Sequence, residues 1–99
     1  MLGYWRWPVV NGEITEVVFE RIPHRHLDRD TMRLVVAYKF SVSDDGPFTG
    51  ETCWEPLYPT TNRLEEARDK FHIGQHVPVH FRPDNPSVNK LDRRTWQGL

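Results

Sequence analysis

The feature that most restricts the fold is an alternation running from residue 32 to residue 42. Met32, Leu34, Val36, Tyr38, Phe40 and Val42 share one parity, while Arg33, Lys39 and Ser41 take the other. Strand side chains point to opposite faces at every second residue, so this pattern specifies a β-strand with one buried face. Val35 and Ala37 interrupt the polar side, which predicts that the middle of the strand is covered on both faces. Ser43-Asp44-Asp45-Gly46 carries turn chemistry, since Asp bonds its local backbone and Gly accepts positive φ. The chain then returns through residues 47–54 with Phe48 and Trp54 in phase, so residues 32–54 are predicted to form a long β-hairpin.

A strand is also predicted over Glu13 to Ile22, but its period is broken. Ile14 and Val18 have one parity and Val17 and Phe19 the other, which calls for burial on both sides or a bulge near Val17-Val18. Between these strands, residues 23–30 (PHRHLDRD) are polar and led by proline, and read as an exposed connection. After the hairpin, Trp54-Glu55-Pro56-Leu57-Tyr58-Pro59 is too proline-rich for regular structure. A helix is predicted over about residues 63–72: Asn62 has N-cap chemistry with Glu65 three positions on, and Leu64, Ala67 and Phe71 form one stripe. Gly74 is placed to act near its stop.

Val77, Val79 and Phe81 then form the inward face of a late strand that Arg82 ends. Pro78 cannot donate to a ladder, so this strand should be an edge, or the Pro78 nitrogen should face away from its neighbour. Pro83 pre-sets a turn angle, Asp84 bonds its own backbone, and Pro86 holds Asn85 extended, so the chain leaves in a new direction. Asp84 therefore reads as turn chemistry rather than as a catalytic acid. Val88 to Leu91 is predicted as a last short strand.

The 99 residues make one domain, and 37% apolar against 27% charged residues fits a small globular chain. A formal net charge of −1 supplies no field for nucleic acid or an anionic membrane. The single Cys53 excludes an internal disulfide and any multi-cysteine metal site. No apolar run reaches the length of a membrane span, and the N-terminus lacks the pattern of a signal peptide, so the chain as given reads as soluble.

In order along the chain stand Trp7-Pro8, then Gly12-Glu13-Ile14, Tyr38-Lys39-Phe40-Ser41-Val42 and Phe48-Thr49-Gly50. Ala67, Phe71, Gly74 and the run Val77-Pro78-Val79-His80-Phe81-Arg82-Pro83 follow, with Pro86 and Leu91 closing the set. Over about residues 6–91 this ordered set resembles the domain-of-unknown-function 3592 family, a bacterial group. The resemblance implies a small β-rich module, often placed beside or between membrane-spanning helices, with no established activity or catalytic residues. This chain departs from it in carrying no spanning helix, so membrane association is expected only if it is a piece of a longer protein. The residues beyond the resemblance, 92–99, read as a flexible tail.

Each candidate site has a plainer competing explanation. His24 and His26, with Asp28 and Asp30, would supply metal ligands, yet they read better as a solvated loop. His72, His76 and His80 are spaced by four but run through Gly74 into a strand, where residues four apart lie roughly 13 Å from each other. Four arginines between Arg21 and Arg33 alternate with aspartates, which suits a solvated hairpin tip, and no nucleic-acid partner is expected. Pro56-Leu57-Tyr58-Pro59 spells PxxP without a flanking base. Cys53 and the carboxylates Glu51 and Glu55 come with no base, oxyanion element or phosphate loop. Tyr4, Trp5 and Trp7 are candidates for a partner contact, Trp7 also as a plug at one end of the barrel.

The expected architecture is mainly β: a small antiparallel barrel or strongly curled sheet of about five strands with one short α-helix. The predicted core is Trp7, Ile14, Leu34, Val36, Tyr38, Phe40, Phe48, Leu64, Ala67, Phe71, Val77, Val79 and Phe81. The expected function is a non-enzymatic interaction or structural module without a cofactor. Its partner would be an unknown protein or a second copy, and the resemblance suggests a setting at the cell envelope. The alternative is a small-ligand or metal-binding module using the 24–30 loop.

Overall fold

The computed structural model describes residues 6–22, 31–55 and 61–96. Five antiparallel strands form one sheet: β1 (Val9–Ile22), β2 (Thr31–Val42), β3 (Asp45–Trp54), β4 (His76–Arg82) and β5 (Asn85–Leu91), in the order β3-β2-β1-β4-β5. A short helix, α1 (Thr61–Arg68), precedes β4, and a 3-10 turn (Arg93–Trp96) follows β5. The mainly β class, the strand count and the single helix are as the sequence predicts.

The predicted hairpin is β2–β3, paired in regular register from Leu34 opposite Trp54 to Phe40 opposite Phe48. Its reversal is tighter than expected. Ser43 and Asp44 alone make the turn, with Ser43 at φ 54°, and Gly46 lies inside β3 at φ 127°. Val35 is buried on the outer face between its cross-strand neighbours Val18 and Cys53, which explains the apolar break in the polar side of β2.

The broken period of β1 is a β-bulge. Ile14 sits opposite Tyr38 and Glu16 opposite Ala37, which leaves Thr15 as the extra residue. Val10, Gly12 and Ile14 face inward before the bulge, and Val17 and Phe19 after it, so one unpaired residue exchanges the parity of the buried set. The shift falls at Thr15 rather than at Val17-Val18, because the face must change before the inward Val17.

β4 is an interior strand, and the second expectation for Pro78 holds. Phe81 N–H donates to Pro8 O at 3.1 Å on the β1 side, whereas Pro78 O accepts Asp92 N–H at 3.0 Å on the β5 side. Alternate residues address alternate neighbours, so the Pro78 nitrogen faces the place where β5 ends and no rung to β1 is lost. β4 and β5 are joined by Pro83-Asp84 alone, and Arg82 pairs with Asn85. The last strand is therefore longer than predicted, and the proline-clamped loop reverses the chain onto its own sheet.

The helix begins and ends earlier than its stripe suggests. Asp69 N–H bonds Glu65 O at 2.9 Å, after which Lys70 and Phe71 bond three residues back and tighten the chain out of α geometry. Phe71 still packs inward with Leu64 and Ala67, and Gly74, at φ 89°, sends its N–H to Ile14 O at 2.8 Å. Arg68 lies 5.1 Å over the Phe19 ring and fastens the helix to β1.

Inside the curl, Ile14, Leu34, Val36, Tyr38 and Val79 are almost wholly enclosed, and Phe40 meets Phe48 at 5.7 Å and Phe81 at 6.2 Å. Trp7 and Phe48, expected in the core, are half-buried, and Leu91 joins it. The two ends of the sheet come together at one side chain. Asn89 of β5 donates from Nδ2 to Thr49 O of β3 at 3.1 Å and accepts the Tyr38 hydroxyl on Oδ1 at 2.6 Å. A side chain on β3 at Gly50 would collide with Asn89 and the Tyr38 ring, so glycine is what lets this seam close. The result is a nearly closed barrel.

Candidate functional site

The most chemically provocative group is a buried His-Asp pair. His80 is an outward-facing residue of β4, yet it is only 4% exposed because the chain folds over it from both ends. Its Nε2 lies 2.8 Å from Asp92 Oδ2, and its Nδ1 lies 3.4 Å from the main-chain oxygen of Trp7. Asp92 follows the last residue of β5 and caps the 3-10 turn: Oδ1 accepts Arg94 N–H at 2.9 Å and Asp92 O accepts Thr95 N–H at 2.9 Å. The Arg94 guanidinium adds bonds at 3.0 and 3.1 Å to the two carboxylate oxygens. Arg94 first and His80 second hold the Asp92 carboxyl far below the usual carboxylate range.

A His-Asp pair orients a base when a nucleophile or substrate can reach the imidazole. Here both side chains are enclosed, His80 at 4% and Asp92 at 5% exposure, so solvent and substrate have little access to the ring. The one thiol, Cys53, is exposed on β3, and desolvation raises its pKa, the opposite of activation. Glu55 is engaged by Arg33 at 3.5 Å. Asp84 is gripped by Arg82 through two bonds of 3.1 and 2.7 Å, which depress its pKa, so it closes a turn as its flanking prolines suggest. The pair therefore works as a clasp joining the entry to β1, β4 and the chain after β5. The expected flexible tail over residues 92–99 opens on this buried Asp92 and continues into the 3-10 turn, with residues 97–99 outside the described residues.

A second feature lies on the outer face of the sheet. A cleft of about 480 Å³ is lined by Asn11, Gly12, Glu13, Lys39, Phe40, Ser41, Pro47 and His76. Register puts His76, Glu13 and Lys39 in one row across β4, β1 and β2. Lys39 Nζ stands 3.8 Å from Glu13 Oε2, both partly solvated, and Asn11 Nδ2 lies 2.9 Å from His76 Nδ1. The row is polar and near-neutral, suited to holding a small ligand by hydrogen bonds rather than to breaking bonds.

Fold and site can now be set beside known proteins. A family model described as a domain of unknown function, DUF3592, matches residues 10–96. The chain belongs to the DUF3592 family. No curated protein and no solved structure matches it. In this DUF3592 domain, no helix among the described residues is long and apolar enough to cross a membrane. Nor do the described residues contain a group of three or more His, Cys, Asp or Glu side chains placed to hold a metal.

Of the residues singled out by sequence, Trp7 is half-buried, with its carbonyl turned to His80. Tyr4, Trp5, His24, His26 and the PxxP stretch at 56–59 lie outside the described residues. His72 and His76 are exposed while His80 is enclosed, so the spacing of four produces no shared site. Sequence reasoning missed Asp92, Arg94 and Asn89. Asp92 had a legible signal, an Asp two residues before Arg94 at the end of a strand, which is N-cap chemistry. Asn89 had none, because its partners are 40 and 51 positions away.

Proposed function

We propose that this DUF3592 domain is a non-enzymatic interaction module. One observation carries the reading: among the described residues, the assembly that looks most like catalytic machinery, His80 with Asp92, is enclosed and spent on fastening the chain ends. A nearly closed barrel whose His-Asp pair is covered by its own chain ends is suited to presenting a surface. The proposal includes a setting at the cell envelope, which the family resemblance suggests. The test is a turnover screen of the purified protein against carboxylic ester, phosphomonoester and peptide substrates. Saturable turnover that disappears in both His80→Gln and Asp92→Asn, with folding retained, overturns the reading; no turnover above buffer supports it.

A second reading, a small-ligand module, draws on the cleft at Asn11, Glu13, Lys39 and His76 rather than on the 24–30 loop. A panel of polar metabolites screened by amide shifts tests it, with Glu13→Gln and Lys39→Met expected to abolish any response.

A further inference from the structure

The sheet has two ends, and they are finished differently. At the β5 end the seam approaches β3, and Asn89 covers Thr49 O. Because the Thr49 carbonyl points away from β2, so do the main-chain groups of every second residue beyond it, Glu51 and Cys53. Alternation through the other strands agrees. Ile14 bonds Gln75 and Gly74 on the β4 side, so Glu13 faces Lys39 of β2, and the same parity carried across β2 turns odd-numbered β3 residues outward. The outward N–H and C=O groups of Glu51 and Cys53 bond no backbone among the described residues.

Proteins blunt an open edge with proline, lysine, a bulge or a covering element. Pro47 sits only at the start of β3, and from Phe48 to Trp54 the register is regular, with no proline, lysine or arginine. Glu51, Cys53 and Glu55 are exposed. Charge selects the occupant. Residues 45–55 carry Asp45, Glu51 and Glu55 and no cationic side chain; Arg33 of β2 engages Glu55, so the acidic selection along the edge rests chiefly on Glu51. A second copy laid on this edge would bring like charges together, whereas a basic strand would be matched.

We propose that the outer edge of β3, over residues 51–55, takes up an extended basic peptide segment as a sixth strand. Main-chain bonds at Glu51 and Cys53 supply the pairing, and the acidic side chains select for Lys and Arg. The inference rests on the interaction-module reading and names the kind of partner.

The test uses the full chain and the peptide acetyl-Val-Lys-Val-Lys-Val-Lys-Val-amide. Binding is followed by fluorescence anisotropy and by amide exchange of the labelled protein. Saturable binding should slow exchange at the Glu51 and Cys53 amides at least tenfold. Glu51→Pro removes an outward N–H while leaving the β2 ladder intact, and should weaken binding at least tenfold. The same peptide N-methylated at alternate residues keeps its charge and should fail to bind the unmodified protein, a control independent of how any variant folds. Equal binding of the N-methylated peptide, unchanged exchange at both amides at saturation, or dimerisation through this edge in place of peptide binding each overturn the proposal. None of these results produces turnover, so the edge can fail while the non-enzymatic reading stands, and the substrate screen can fail while the edge holds.

Discussion

Replacing Asn89 with Ala should open the seam of the barrel, and the cost can be worked out from its bonds. The Tyr38 hydroxyl loses its 2.6 Å acceptor while the residue stays 1% exposed, so a buried donor is stranded. That penalty is about 1–3 kcal/mol. Asn89 Nδ2 also faces the carbonyls of Thr49, Pro86 and Ser87 at 3.1–3.2 Å, with two hydrogens to share among three acceptors. Losing these half-exposed bonds adds about 0.5–1 kcal/mol, since water replaces part of them. The sum, about 1.5–4 kcal/mol, corresponds to a fall in Tm of about 7–20 °C for a domain of this size. Tyr38→Phe alone should cost less, about 0.5–1.5 kcal/mol, because the half-buried Asn89 can turn to solvent. The decisive measurement is the double variant in urea denaturation. With the hydroxyl gone, Asn89→Ala strands nothing, so Tyr38→Phe/Asn89→Ala should be no less stable than Asn89→Ala alone. Costs that add to within about 0.5 kcal/mol, or an Asn89→Ala protein as stable as the parent, would refute the coupling.

Three other outcomes follow from the same geometry. Gly50→Ala should destabilise by about 2–3 kcal/mol by overpacking against Asn89 and Tyr38, and more than Gly12→Ala, where the close contact is the Val79 methyl at 2.7 Å; thermal melts rank the two. Burial pushes the Tyr38 hydroxyl up to about 12, so stability tied to its protonated form is complete below the unfolded value of 10.0 and lost as pH rises toward 12. Alkaline urea titrations should show this slope, and Tyr38→Phe should flatten it. Asp92 has the opposite sign. Its depressed pKa gives stability that is present above the ordinary carboxylate range and lost as pH falls through and below it. Asp92→Ala should cost about 3–5 kcal/mol at neutral pH by breaking a buried pair, and an acid limb identical to the parent's would count against the clasp.

What could be read from the sequence was local. The alternation from Met32 to Val42, the turn residues after it and the stripe of Leu64, Ala67 and Phe71 each write their structure within a dozen positions. The bulge was legible as a broken period, though not to the residue, because Val17 and Val18 are equally apolar and only pairing with β2 distinguishes them. The two ends of Pro78's dilemma were visible, but choosing between them needed β5 on the far side of β4. The clasp and the seam were illegible for a common reason. His80, Asp92, Asn89 and Tyr38 are ordinary polar residues until closure of the sheet removes water from around them, and then each must find a partner.

Thr15 carries a consequence for how this chain tolerates changes of length. The strand containing it is written in two reading frames, inward on even positions up to Ile14 and on odd positions from Val17. Removing that one residue would merge the frames into a tidy alternating sequence that looks like a better strand. It would keep Val17 opposite Val36 and Phe19 opposite Leu34, and what it would delete is the extra bend and twist that the bulge gives the strand where the sheet curls. At this point the irregular spelling is the one that makes sense.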